Sequence, residues 1–262
     1  MMDVSDTVLT TEIRDRVMRL TITREARRNA MNAEVQHGIS AALTRAVEGG
    51  DVGVVVLTGA GDRAFCSGAD LAPDSVAFRQ DFSRIGTPFT NLLRQVRDLP
   101  LPLVGRINGH CMAGGMGLMA MCDMVVAADH ALFGLPEVKI GVFPMVVTSV
   151  LRALMPERAF AELALTGEPI TAAEAHRLGL VNHVAPGAEL DAKVDWLVGR
   201  LLDKSPTAIR RGKYALRKTE AMNFDEALAF LETQIGVLAL TEDAREGRAA
   251  FNEKRRPAWT GR

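Results

Sequence analysis

The sequence predicts an α/β protein, with strand-strand-helix units over the first two-thirds and helices over the last third. Three observations predict it. Residues 52–57 and 103–107 are short, continuous apolar runs rich in branched side chains, as expected of strands covered on both faces. Strands come in pairs, without the strict alternation of a Rossmann sheet. Beyond residue 145 the apolar residues recur at helical spacing between capping signals.

Residues 8–13 and 17–23 read as two strands turned at Arg14-Asp15-Arg16. A helix follows, with Val35, Ile39, Ala42, Ala46 and Val47 on one face. The strand at 52–57 ends in the turn Gly59-Ala60-Gly61-Asp62. The mixed stretch 73–98 reads as a loop leading into a helix. Residues 103–107 form the next buried strand, and 124–127 and 131–133 two short ones. Thr171-Ala172-Ala173-Glu174 is a capping-box signature for a helix that Gly179 stops. Leu190, Val194, Leu197, Val198, Leu201 and Leu202 form an amphipathic stripe, Ser205-Pro206 caps one helix and Asn223-Phe224-Asp225-Glu226 opens another. The expected organisation is a core over 1–200 and a C-terminal helical region over 201–262, packed on the core or on a neighbouring subunit.

A chain of 262 residues can bury a substantial core, and 48% hydrophobic with 24% charged residues is an ordinary soluble composition. The formal net charge of -1 argues against nucleic-acid binding through bulk electrostatics. Asp123 interrupts the longest apolar run before it reaches membrane-spanning length. The acidic start Met1-Met2-Asp3 has no apolar signal core, and Cys66, Cys111 and Cys122 lack zinc-ligand spacing. A cytoplasmic protein with reduced thiols is the expectation, without metal and without membrane contact.

Two glycine-bearing segments carry the chemistry. In Asn108-Gly109-His110-Cys111-Met112-Ala113-Gly114-Gly115-Met116-Gly117, Gly114 sits where a loop meets an apolar run, hence at a helix N-terminus. Backbone N–H groups there lack intrahelical partners and suit a developing oxyanion. In Ala64-Phe65-Cys66-Ser67-Gly68-Ala69-Asp70-Leu71, Gly68 allows close backbone approach and Ala69 offers a second N–H. The alternative for Gly114-Gly115 is a tight turn. Gly115-Met116-Gly117-Leu118-Met119-Ala120 also fits a dinucleotide pattern, but its glycines start well past the strand at 103–107.

The ordered segments 24–32, 54–59, 64–71, 108–123, 133–141, 167–182 and 251–255 resemble the crotonase (enoyl-CoA hydratase/isomerase) superfamily over nearly the whole chain. The resemblance implies a ββα spiral with a C-terminal helical trimerisation region, assembled as a homotrimer or dimer of trimers. It implies an acyl-CoA thioester substrate, with coenzyme A part of the substrate and no separate cofactor. Ala69 and Gly114 would form the oxyanion hole, and Glu137 would carry the proton. Gly68, Asp70, Leu71 and Ala72 would line the ligand channel, Ala26 and Arg28 would lie along the CoA chain, and Phe251 with Lys254 would approach it from a neighbouring subunit.

Apolar neighbours (Phe133, Leu135, Val138 and Phe143) would raise the pKa of Glu137. Its alternative is an exposed Glu paired with Lys139. Arg27 and Arg28 suit a phosphate, or form an exposed basic turn, and Lys254-Arg255-Arg256 is open to the same two readings. Gly117 departs from the family pattern, for hydratases of the family carry a second catalytic Glu there. A single remaining acid points to enoyl-CoA isomerase chemistry. Enoyl-CoA hydratase activity and a silent acyl-CoA binder are the alternatives, with a nucleotide-dependent oxidoreductase as a third. Asp70, Asp74 and His110 are the candidate substitute groups. Met112, Met116, Met119, Met121 and Met145 line an acyl pocket or pack the core. Phe143-Pro144-Met145 stands where many hydratases have glycines.

Overall fold

The computed structural model describes residues 7–72, 81–83 and 85–262. It opens with β1 (Leu9–Arg14) and β2 (Val17–Ile22), an antiparallel pair. Helix α1 (Ala33–Gly49) follows, its first turn capped by the Asn32 side chain, which accepts from Val35 N–H. Val35, Ile39, Ala42, Leu43 and Ala46 are its buried face, whereas Val47 points to solvent.

A repeating unit then sets the architecture. Strands β3 (Val54–Gly59), β5 (Leu103–Ile107) and β7 (Met124–Ala128) are each followed by a three-residue strand: β4 (Ala64–Cys66), β6 (His110–Met112) and β8 (Leu132–Gly134). The longer strands join a six-stranded sheet in the order β1-β2-β3-β5-β7-β10, with β10 spanning His183–Ala185. The short ones build a four-stranded sheet, β4-β6-β8-β9, with β9 at Ile170–Thr171. Helix α2 (Pro88–Arg97) lies between the first two units, and α3 (Gly114–Ala120) between the second and third.

All six residues of β3 are buried. Val55 and Leu57 face the main core with Met18, Leu20, Leu103 and Ile107. Val54 and Val56 face a second cluster under helix α7 (Leu190–Leu202), built from Leu190, Val194, Leu197 and Val198. The alternation of a strand covered on both faces explains the unbroken apolar run. The expected boundary at residue 200 falls inside α7.

Two buried asparagines fasten β4 to this frame. Asn29 Nδ2 donates to the carbonyls of Ala60 and Ala64, and Asn108 Nδ2 donates to those of Gly61 and Ala64. Asn108 Oδ1 accepts from Gly59 N–H. β4 is thus held by side chains as much as by its neighbours.

Helices α4 (Met145–Leu151), α5 (Glu157–Thr166) and α6 (Ala172–Arg177) close the main core, and Thr171 caps α6 as its sequence indicates. Helices α8 (Pro206–Thr219), α9 (Phe224–Ala239) and α10 (Glu242–Glu253) complete the chain. Ser205 caps α8, and Asn223 with Glu226 forms a full capping box on α9. No helix among the described residues is long and apolar enough to cross a membrane.

Candidate active site

The short sheet creates the site. β4, β6 and β8 are adjacent and parallel, so the segments leaving their C-terminal ends emerge side by side. Those segments carry Ala69, Gly114 and Glu137. Ligands of parallel sheets bind at this end of the strands.

Ala69 lies in a parallel bridge with Met31. Met31 N–H donates to the Gly68 carbonyl at 2.8 Å and Asp70 N–H to the Met31 carbonyl at 2.8 Å. Pairing on that edge leaves the Ala69 N–H directed the other way. Gly114 is the first residue of α3, where N–H groups have no helical acceptor. The two loops touch: a Cβ placed on Gly114 would lie 3.7 Å from Ala69 N, and one on Gly68 would lie 3.3 Å from Gly114 N. Gly68 also has φ +102°, which a larger residue adopts only under strain. The main-chain N–H groups of Ala69 and Gly114 thus lie on adjoining loops at neighbouring strand ends.

Glu137 opens a 3-10 turn over Pro136–Ile140 and is half-buried. Burial pushes its carboxyl above the ordinary value of 4.5. Its Oε2 is buried without a hydrogen-bond partner. Lys139 does not neutralise it, because Lys139 Nζ pairs with Glu168 Oε1 at 2.8 Å. The exposed, paired Glu137 is therefore ruled out.

Asp70 has a different environment. Its carboxylate is buried, pairs with the Arg24 guanidinium at 2.6 Å and accepts from Ala72 N–H at 3.1 Å. The bond from Arg24 lowers its pKa. A carboxylate held ionised this way positions the loop and is a poor proton carrier. His110 lies in β6 with a buried, unpartnered Nδ1, its main-chain N–H bonded to the Arg63 carbonyl. Asp74 lies outside the described residues.

The position of Gly117 is closed. A Cβ there would lie 2.9 Å from Phe89 Cζ of α2 and 3.4 Å from Val147 Cγ2 of α4. Neither residue stands out in sequence, because both are remote from the glycine along the chain. The available signal is that Phe89 shares a helical face with Leu92, Leu93 and Val96 after the Thr87-Pro88 cap. Met116, Met119 and Met121 are core residues, and Met145 is exposed.

The loop carrying Ala26 and Arg28 is stitched to the same place, since Ser67 N–H donates to the Arg28 carbonyl at 3.1 Å. Arg27 and Arg28 are exposed and have no ion pair among the described residues. Leu71, two residues after Ala69, is exposed and Ala72 partly so. Phe251 and Lys254 belong to the C-terminal region: Phe251 is 84% exposed on α10, and Lys254 is its left-handed C-cap. Arg255 is engaged with Glu246 and Glu253. Among the described residues, no contact within the chain brings Phe251 and Lys254 to the loops of Ala69 and Gly114.

The glycine-rich segment does follow a strand directly, because β6 ends at Met112, contrary to the sequence reading. Yet a Cβ on Gly115 would lie 2.3 Å from the Cys66 carbonyl oxygen, so this glycine packs against protein. The three cysteines are free and buried, and desolvation pushes the Cys66 thiol up to about 12. No group of three or more His, Cys, Asp or Glu among the described residues is placed to hold a metal ion.

Two adjoining main-chain loops and one half-buried carboxylate thus leave the same ends of the small sheet's parallel strands. The enoyl-CoA hydratase/isomerase family model matches residues 12–262. The crotonyl-CoA hydratase of Syntrophomonas wolfei is 32% identical over 238 residues, covering 90% of this chain and 92% of that protein. The 2,3-dehydroadipyl-CoA hydratase of Escherichia coli is 32% identical over 256 residues, covering 94% and 96%. An enoyl-CoA hydratase crystal structure from Bacillus anthracis superposes with a TM-score of 0.89 at 30% identity, covering 97% of this chain and all of that one. The human enoyl-CoA hydratase domain-containing protein 3 gives a TM-score of 0.91 at 25% identity, covering 96% and 100%. The chain belongs to the enoyl-CoA hydratase/isomerase family, the crotonase superfamily.

Proposed function

We propose that this protein is an enoyl-CoA isomerase that converts a 3-enoyl-CoA to the conjugated 2-enoyl-CoA. The single observation that carries this reading is the asymmetry of the site. Half-buried Glu137 has one buried carboxylate oxygen without a partner, whereas Gly117 offers no acid and is covered by Phe89.

The thioester oxygen accepts from the Ala69 and Gly114 N–H groups. Glu137 removes a proton from C2, and the electron pair moves onto the thioester oxygen as a dienolate. Each such donor contributes about 3 kcal/mol to stabilising that charge. The protonated Glu137 then returns its proton to C4, and the electrons collapse into the C2–C3 double bond. Atoms and electrons balance without water. The raised pKa suits both halves of the cycle, because the acid must give back what the base took.

Ala26, Arg28, Gly68, Asp70, Leu71 and Ala72 are proposed to frame the CoA channel, with Phe251 and Lys254 supplied by a neighbouring subunit. Hydration of 2-enoyl-CoA is the second reading, favoured by the hydratase names of the relatives. Ultraviolet absorbance separates the two. A 3-enoyl-CoA should gain conjugated-thioester absorbance; bleaching of a 2-enoyl-CoA with no isomerisation would overturn the first reading. Glu137→Gln should reduce isomerisation by about 1000-fold while CoA-ester affinity holds. Turnover in the native protein should fall as pH drops through a pKa above 4.5. Undiminished turnover in Glu137→Gln would remove the carboxylate from the mechanism.

A further inference from the structure

Gly117 lies one turn beyond Gly114 on α3, three residues and thus about 4.5 Å along the helix axis. A thioester whose carbonyl rests on the Ala69 and Gly114 amides therefore places its first acyl carbons close to this position. What they meet there is apolar: the Phe89 ring edge and the Val147 methyls, over a buried glycine. Glycine inside a helix is disfavoured, and a helix-interior glycine calls for a close neighbour to explain it. Phe89 is that neighbour.

The ring is also firmly placed. Thr87 and Thr90 form a reciprocal capping box at the start of α2, and Pro88 occupies its first turn. Leu92 and Val96 anchor the same face in the core. Gln95 ties α2 to α1, donating to the Ser40 carbonyl at 2.9 Å and accepting from Ser40 Oγ at 2.6 Å. The backbone carrying Phe89 is fixed independently of any ligand.

We propose that Phe89 is a specificity-determining residue: its ring seals the wall of the acyl channel beside Gly117, so that the carbons next to the thioester carbonyl meet an aromatic edge where an attacking water would otherwise be held. This rests on the placement of the thioester proposed above, and it names the group that suppresses hydration. An ordered water needs two or more polar partners, which Phe89 and Val147 do not supply.

The test pairs a stability cycle with two rates. Alanine is the better helix former, so Gly117→Ala should raise Tm by about 2 °C in a Phe89→Ala background. With Phe89 present the same change should lower Tm, because the new methyl meets the ring. Hydration of a short 2-enoyl-CoA should rise about 10-fold in Phe89→Ala. Phe89→Ala combined with Gly117→Glu should hydrate about 100-fold faster than Gly117→Glu alone. Additive Tm shifts, or hydration equally fast in Gly117→Glu with and without the ring, would overturn the role of Phe89. A native protein that leaves 3-enoyl-CoA untouched would sink the isomerase reading alone, since the Tm cycle and the hydration rates are read without it.

Discussion

β3 and α9 are opposite solutions to the same chemistry. Every residue of β3 is buried within the chain, whereas α9 buries none, although it carries Phe224, Leu228, Leu231, Ile235 and Val237. The strand lies between two clusters of its own protein. The helix has sound caps, yet its apolar side chains stay in solvent. A contiguous exposed apolar surface of this kind marks an interaction site. β3 finds its cover within the chain, and we propose that α9 finds its cover by association with further copies of this chain.

Breaking that contrast should have its largest effect on α9. Leu228→Asp with Ile235→Asp should weaken association by about 1000-fold, or ~4 kcal/mol, measured by sedimentation. The spiral should keep its far-UV circular dichroism, because neither side chain belongs to a core cluster. Unchanged assembly would show that α9 is not the contact.

Within the spiral the most severe change is the smallest in size. The Gly115→Ala methyl would meet the Cys66 carbonyl oxygen at 2.3 Å, a backbone atom that cannot swing aside. Overpacking of this kind costs about 3 kcal/mol and would separate the loops of Ala69 and Gly114. Denaturant unfolding should show the loss, together with a fall in activity. Retained stability would mean that α3 slides along the small sheet at little cost.

That glycine also shows what the sequence could and could not reveal. Residues 103–107 were legible as a buried strand because Leu103, Val104 and Ile107 meet apolar cover on both faces. β4 and β6 were not, since three residues are too few for periodicity and Asn29 and Asn108 do much of the fastening. Their omission made the glycines after β6 look detached from any strand. Gly114 as a helix start was legible from its place before an apolar run. The closure of Gly117 was not, because Phe89 approaches from another helix. For Glu137, local reasoning favoured a Lys139 partner, and the tertiary contact with Glu168 takes that lysine away.

Asp243 sharpens the contrast from the C-terminal side. It is buried and accepts from Ser205 Oγ at 2.7 Å and from the N–H groups of Thr207, Thr260 and Gly261. Burial alone would raise its pKa, but the Ser205 and main-chain bonds outweigh it and hold it down at about 2. The folded value lies below the ordinary 3.8, so its stabilisation is present above about pH 4 and is lost as pH falls toward 2. Asp243→Ala should cost about 2 kcal/mol by stranding these donors and should flatten that acid limb. An unchanged limb would assign the acid sensitivity to other carboxylates.

The smallest effect is expected at the residue before α3. Ala113 has φ +52° and ψ −123°, a conformation that suits glycine and strains alanine. Its N–H donates to the Gly134 carbonyl at 2.9 Å, so the backbone is held there from β8 as well. Ala113→Gly relieves about 2 kcal/mol of strain and gives back about 1 in backbone entropy. A net gain of about 1 kcal/mol should raise Tm by about 2 °C. The opposing contribution is the Ala113 methyl, which fills space beside Gly68. A fall in Tm would show that this packing outweighs the strain and that the methyl helps hold the two amide loops together.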